Sequence, residues 1–251
     1  MKCGTFFNNV YSTLNSHYLN YNTKMKYYHL FVSCEPEVIG VNNGFSQGNI
    51  IWNKFNYNES ENRIMNYFSI NKFIKNNQVI EPIDFTFEYV EAEKKAKMTD
   101  FFLFSPMLFG VRHFVTKKVV DLLNNFNLPL HKFIPVNIYQ QGKRYEYYAF
   151  YIATHYREDS INFSESIFYD GTEYGEKTFV KLDNVEEYRN YKGLKKFSQI
   201  KFNENFDTSL DLFDMIWGLH YISEKLKLAI EQAKLTGIVI REPKNPEFIL
   251  P

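Results

Sequence analysis

Hydrophobic and polar positions change period several times along this chain, and each change marks an element. Met25-Lys-Tyr-Tyr-His-Leu-Phe-Val-Ser33 is a β-branched and aromatic run that predicts a strand. From Val38 to about Asn77 the pattern weakens around the turn signals Asn42-Asn-Gly44 and Gln47-Gly48, with short strands expected around Ile50 to Phe55 and a helix over Glu61 to Phe68. Asp84-Phe-Thr-Phe-Glu-Tyr-Val90 alternates with period two, as a half-buried strand does. A charged helical stretch, Glu91 to Lys97, and an apolar segment, Asp100 to Phe104, follow. His131 to Tyr139 and Lys143 to Ile152 flank Gln141-Gly142 and predict a hairpin, with Pro135 at a strand edge or start because it cannot donate to a ladder. Ser164 to Tyr169 is expected to add a third strand to that sheet. Phe179 to Leu182, Ile200 to Phe202 and Phe213 to Trp217 read as further strands, and Val185 to Tyr191 as a helical turn ending at Gly193.

One pattern occurs twice. His113-Phe-Val-Thr116 opens a segment that His220-Tyr-Ile-Ser223 opens again, 107 residues later when counted from His113 to His220. Each copy continues with a hydroxyl residue able to accept from the orphan N–H groups of a helix start, then an apolar stripe. The first helix, about 116–127, runs into Asn127-Leu-Pro129, and the second, about 223–235, into Thr236-Gly237; both sequences stop helices. Leu226, Ala229, Ile230 and Ala233 fall at helical spacing and predict a buried stripe. Fully burying Leu226 and Ile230 contributes roughly 1.5 to 3 kcal/mol each. Gly237 is expected to take a left-handed cap, and Ile238-Val-Ile240 to form a buried closing strand.

At 251 residues the chain can bury a core without disulfides or metals. Residues 1–24 are polar and Asn-rich and are expected to form a peripheral extension, with Met25 a natural start. Residues 25–251 are expected to form a single domain, within which 25–98 can make a smaller N-terminal lobe. The 29 basic residues balance 29 acidic ones, so no global field draws the chain toward nucleic acid or an anionic membrane. No apolar run approaches the roughly 20 residues needed to span a bilayer. Cys3 and Cys34 lack metal-ligand spacing and fit a reducing compartment, so a cytoplasmic location is expected. The 25 Phe and 19 Tyr are spread evenly, as an AT-rich coding sequence would spread them without a stacking surface.

Motifs for chemistry are sparse. Gly142-Lys143 is followed by Arg144, so no phosphate-cradling loop is present, nor is a Gly-x-Ser-x-Gly elbow or a His-Glu-x-x-His helix. Asp207, Asp211 and Asp214 lie at spacings of four and three, which on a helix would put three carboxylates on one face, with His220 beyond them, as metal binding or acid–base work requires. A solvated acidic face explains them more simply, because Leu210, Leu212 and Phe213 supply an ordinary core side. Asp170, Glu173 and Glu176 surround two glycines and are equally unspecific. The lysines at 94, 95 and 97, at 117 and 118, and at 195 and 196 read as solvated faces.

Tyr221-Ile-Ser-Glu-Lys-Leu-Lys-Leu-Ala-Ile-Glu-Gln-Ala-Lys-Leu-Thr-Gly237-Ile resembles the C-terminal signature of a bacterial family of immunity proteins, encoded beside polymorphic or contact-dependent toxins. The likeness extends to His113–Leu128, to Ile134-Pro-Val-Asn-Ile138 and to Ile161-Asn-Phe-Ser164, and covers residues 100 to 240. The resemblance implies structural roles for His113, Thr116, His220, Ser223, Glu224, Leu226, Ile230 and Gly237: Ser223 as cap, Leu226 and Ile230 as core, Gly237 as terminator. It implies no catalytic residue, no cofactor and no metal, and as sole partner a cognate toxin domain, with neither nucleic acid nor membrane. Two alternatives stand beside it: a metal-dependent enzyme using Asp207, Asp211, Asp214 and His220, and a glycan- or nucleic-acid-binding module. For an inhibitor, aromatic anchors such as those in Tyr145 to Tyr151 would carry the interface. The fold expected is α+β, a mixed and largely antiparallel sheet with two similar packed helices.

Overall fold

The computed structural model describes residues 26–43, 46–56, 60–69, 71, 84–152, 158–172, 175–215, 220–243 and 246–251. The chain is mixed α/β and dominated by three sheets. Strand β1 (Tyr27–Val32) lies beside distant C-terminal strands: with β12 (Leu212–Asp214), β13 (His220–Ser223) and β14 (Ile238–Arg241) it forms a four-stranded sheet in the order β12-β13-β1-β14, antiparallel throughout. A seven-stranded sheet holds β2 (Gly48–Ile50), β3 (Phe87–Ala92), β4 (Phe101–Phe102), β5 (Phe104–Ser105), β6 (Val111–Val115), β7 (His131–Gln140) and β8 (Lys143–Ile152) in the order β4-β6-β8-β7-β3-β2-β5. Its pairings are antiparallel except β3 with β7 and β2 with β5. The third sheet orders β9 (Ile167–Gly171), β10 (Lys177–Val180), β11 (Lys195–Lys201) and β15 (Glu247–Ile249) as β10-β9-β11-β15. Five helices complete the described elements: α1 (Pro36–Ile39), α2 (Ser60–Tyr67), α3 (Lys117–Leu123), α4 (Val185–Asn190) and α5 (Glu224–Gln232).

The β7–β8 hairpin forms because Gln141 (φ 51°) and Gly142 (φ 82°) both take positive φ, as a two-residue turn matched to strand twist demands. Its register runs unbroken from His131 opposite Ile152 to Gln140 opposite Lys143. β8 is buried on both faces. Tyr147, Ala149 and Tyr151 join Phe87, Val90, Ile134, Val136 and Ile138 in one core, while Phe150 and Ile152 face a second. The second core takes Val119, Val120 and Leu123 from α3, Leu226 and Ile230 from α5, and Tyr28, Leu30, Leu212 and Ile222 from the β1 sheet, so it lies between the seven-stranded sheet and the β1 sheet. A third core, around Phe168, Phe197, Ile200, Phe202 and Phe213, underlies the β9 sheet.

Several expectations need correction. Glu91 to Lys97 is not a helix: Glu93 N–H donates to Gln47 O, Lys97 N–H to Ile39 O, and the Gln140 amide holds the carbonyls of Glu93 and Ala96. Residues 52–54 form a short 3-10 turn rather than strand. Pro135 sits mid-strand, opposite Tyr148 and one residue before pairing with β3 begins at Val136. β9 joins its own sheet rather than extending the hairpin. β14 does not close the chain, since β15 follows it and pairs in parallel with β11. The expectations for residues 1–24, and for Phe213–Trp217 beyond Met215, lie outside the described residues.

Candidate functional site

The recurring residues come together where the seven-stranded sheet meets the β1 sheet. β6 leads through Thr116 into α3, and β13 leads through Ser223 into α5. Ser223 caps its helix as expected: its Oγ accepts from Leu226 N–H at 3.2 Å and donates to Asp211 Oδ1 at 2.7 Å. Thr116 takes the extended cap conformation but accepts no bond from its helix; its hydroxyl donates instead to Asp100 Oδ1 at 2.9 Å.

The second oxygen of each carboxylate reaches the far end of the other helix. Asp211 Oδ2 accepts from Asn127 N–H at 3.0 Å, just after α3. Asp100 Oδ2 accepts from the Thr236 N–H and hydroxyl at 2.9 Å each, just after α5. Backbone bonds double both ties: Asp211 N–H to Asn127 O at 2.7 Å, and Phe101 N–H to Thr236 O at 3.0 Å. Lys118 Nζ donates to Ala233 O at 2.7 Å near the end of α5, while Lys225 Nζ stands 4.9 Å from the centroid of the Phe126 ring near the end of α3. Gly237 has φ +86°, and a Cβ there would lie 2.2 Å from Phe101 O, so glycine serves a close approach as well as a turn. The helix itself ends earlier, at Gln232, and the left-handed turn after it falls on Lys234, with φ 49°.

Between these ties the His113 and His220 rings meet edge to face, centroids 5.3 Å apart. His220 Nδ1 lies 3.6 Å from Asp214 Oδ1. The three residues are 2%, 3% and 0% exposed, so no substrate in solution reaches them. Burial, and secondarily the Asp214 carboxylate, hold the neighbouring Tyr221 phenol well above its ordinary range. Glu224 is exposed and accepts a long bond of 3.4 Å from the Tyr28 hydroxyl. Leu226 and Ile230 are buried, as their spacing predicts, whereas Ala229 and Ala233 are only half-buried.

The acidic triplet does not line one helix face. Asp214 is on β12, Asp211 precedes that strand as a strut, and Asp207 closes a turn by accepting from the Ser209 N–H and hydroxyl at 2.9 and 2.6 Å. Among the described residues no group of three or more His, Cys, Asp or Glu is placed to hold a metal ion. Asp170 is likewise engaged, accepting from the Tyr191 hydroxyl and Leu194 N–H at 2.8 and 2.9 Å. An open depression of about 460 Å³ lies beside α4, but its Arg189 is paired with Glu158 and its Asn184 caps that helix.

Most of the Tyr145 to Tyr151 aromatics are core: Tyr147, Phe150 and Tyr151 are buried. The large exposed apolar side chains are scattered over the described residues: Met107 (71% exposed) before β6, Phe179 (67%) on β10, Leu194 (65%) just before β11 and Leu228 (48%) on α5. Sequence reasoning found β10 but not its outward residue, because a period of two identifies two faces without saying which one is covered. No protein-family profile matches the chain, and no curated protein matches it. Among the described residues no helix is long and apolar enough to cross a membrane.

Proposed function

We propose that the chain is a cytoplasmic immunity protein that binds a cognate bacterial toxin domain and blocks it by contact, without cofactor or catalysis. The observation that carries this reading is how ionisable and apolar groups are distributed. The carboxylates singled out by spacing are engaged in holding the fold together, while large apolar side chains such as Met107, Phe179 and Leu194 stand in solvent. An inhibitor needs a shaped exterior rather than a reactive cleft, and large exposed apolar side chains mark such surfaces.

The two helices, in this reading, are copies of one strand–cap–helix unit. The reciprocal ties of Asp100 and Asp211 support this, and so do the strand registers. Val32 pairs with Ile238 as Ile152 pairs with His131, and Leu30 pairs with Ile240 as Phe150 pairs with Phe133. Tyr28 pairs with Ile222 as Tyr148 pairs with Val115. Every equivalent position in β13 and β14 follows its counterpart in β6 and β7 by 107 residues, the separation of the histidines, and β1 takes the place of β8. A rigid duplicated scaffold presents a binding face without ordering it at the moment of contact, which lowers the entropic cost of association.

The test is co-expression. The C-terminal domain encoded by the adjacent reading frame is induced in a bacterial host with and without this chain; arrested growth that the chain restores is the expected result. Arrest that persists with the chain present would reject the reading.

A further inference from the structure

We infer that the seam between the seven-stranded sheet and the β1 sheet is an acid-sensitive joint: the contact between His113 and His220 admits one proton, and a second only when the sheets part. The recurring unit creates this contact by setting the same residue of each copy face to face, His113 of β6 against His220 of β13. The copies differ in what lies across from the ring. Leu212 pairs with Ile222 as Phe101 pairs with Val115, and two residues beyond these stand Asp214 in one copy and Leu103 in the other. Asp214 lies opposite His220, with its Oδ1 3.6 Å from His220 Nδ1. One copy thus brings a carboxylate to its imidazole where the other brings a leucine.

A proton on His220 makes an imidazolium beside the Asp214 carboxylate. A proton on His113 as well sets two cations with centroids 5.3 Å apart in a buried space bordered by Phe101 and Phe150, and one carboxylate offsets only one of them. The other ionisable groups described on the surrounding elements are engaged away from the pair. His131 Nδ1 lies 2.8 Å from Pro129 O on the far side of Phe150, and His29 packs on Tyr221 on the opposite face of the β1 sheet. Lys117 pairs with Asp121, Lys225 with Asp211 and Lys227 with Glu231, while Lys118 donates to Ala233 O and Asp100 accepts from Thr116 and Thr236. Tyr28, whose hydroxyl donates to Glu224, and Tyr148 border the core with phenols, which bring no charge in acid. An imidazole in the unfolded chain takes its proton near about pH 6.5. Below that pH the unfolded chain binds one proton more than the closed joint, so stability falls as pH falls. The proton on His220, held by Asp214, is present in both states in acid and adds no slope.

The experiment follows urea unfolding of the full chain from about pH 7 to about pH 5 and repeats it for His113→Phe, which keeps a ring against Phe101 and His220, and for Asp214→Asn. The folded-to-unfolded ratio of the parent is expected to fall more steeply in acid than that of His113→Phe, by about tenfold per pH unit below about pH 6. Asp214→Asn should fall more steeply than the parent by a similar factor, because the first proton then loses its carboxylate. His131→Phe, outside the pair, is the control and should follow the parent. Equal slopes for the parent and His113→Phe, or a slope for Asp214→Asn no steeper than the parent's, would overturn the inference. Should a variant fail to fold, imidazole NMR of the parent decides. At about pH 5.5 no more than one of the two rings is expected to be protonated in the folded chain, and a folded chain that carries both protons would overturn the inference.

Discussion

His113 and His220 lie in different sheets, yet their imidazoles touch, with centroids 5.3 Å apart and planes at 78°. Phe101 packs on His113 at 5.3 Å and Phe150 faces His220 at 6.5 Å, so the pair is enclosed by aromatic side chains. Replacing either ring by alanine leaves a cavity in a packed interior and is expected to cost about 2 to 4 kcal/mol. Because the rings contact each other, the double variant should depart from additivity by about 0.5 kcal/mol or more. Urea unfolding of the four proteins checks this, and strict additivity would show that the two residues do not work as a pair.

Asp211 spans two helices with both carboxylate oxygens and is nearly buried. Asp211→Ala leaves the Ser223 hydroxyl and Asn127 N–H without their acceptor, an expected loss of about 2 to 4 kcal/mol. Asp100→Ala removes the equivalent bonds from Thr116 and Thr236 at a more exposed position, so it is expected to cost about half as much. Chemical denaturation measures both, and a larger loss at Asp100 would contradict this ordering.

Gly237 and Gly142 both have positive φ, at +86° and +82°, but a Cβ at Gly142 meets nothing within 4 Å. Gly142→Ala should therefore cost only about 1 kcal/mol of backbone strain. Gly237→Ala adds a clash with Phe101 O and should cost at least about 2 kcal/mol more. Equal melting temperatures for the two variants would show that the close approach does not matter.

Tyr188 is the buried residue of α4, and burial, followed by the Glu158 carboxylate, pushes its phenol up to about 12 from an ordinary 10.0. An unfolded phenol releases its proton near pH 10 while the folded one keeps it, so the unfolded state binds fewer protons between these values. Stability from this residue is then complete below about pH 10 and declines toward pH 12, by a total on the order of 2 kcal/mol. Tyr147 and Tyr221 shift in the same direction, each mainly through burial. Urea midpoints at about pH 9 and pH 11 should fall less in Tyr188→Phe than in the parent; an identical fall would contradict the assignment.

Local chemistry made parts of this fold legible. The Gln141-Gly142 turn fixed the hairpin because two positive-φ residues between β-prone runs admit few alternatives. Ser223 and the stripe of Leu226 and Ile230 located α5 for the same kind of reason. α3 is shorter than the expected 116–127, since after Leu123 the Asn125 amide bonds the carbonyls of Asp121 and Leu122 and competes with further helix. Glu91 to Lys97 has helical composition, but its backbone is held by Gln47 and Gln140, which no local window contains. The spacing of Asp211 to other carboxylates is local, whereas its partners Ser223 and Asn127 are 12 and 84 residues away. Asp100 is not legible in the sequence, because a single acid before an apolar pair carries no signal until its strand is paired. The outward face of β10 was hidden for the same reason.

If, as proposed, this chain acts by occupying a surface, its inhibition of a toxin is stoichiometric. The most direct test titrates it into a fixed amount of active toxin domain and follows residual toxin activity. Inhibition that completes at one chain per toxin molecule, and reverses when the complex is dissociated and the toxin repurified, is predicted. Complete inactivation by a small fraction of an equivalent, with toxin that stays altered after separation, would mean that the chain catalyses a covalent change and would contradict the account.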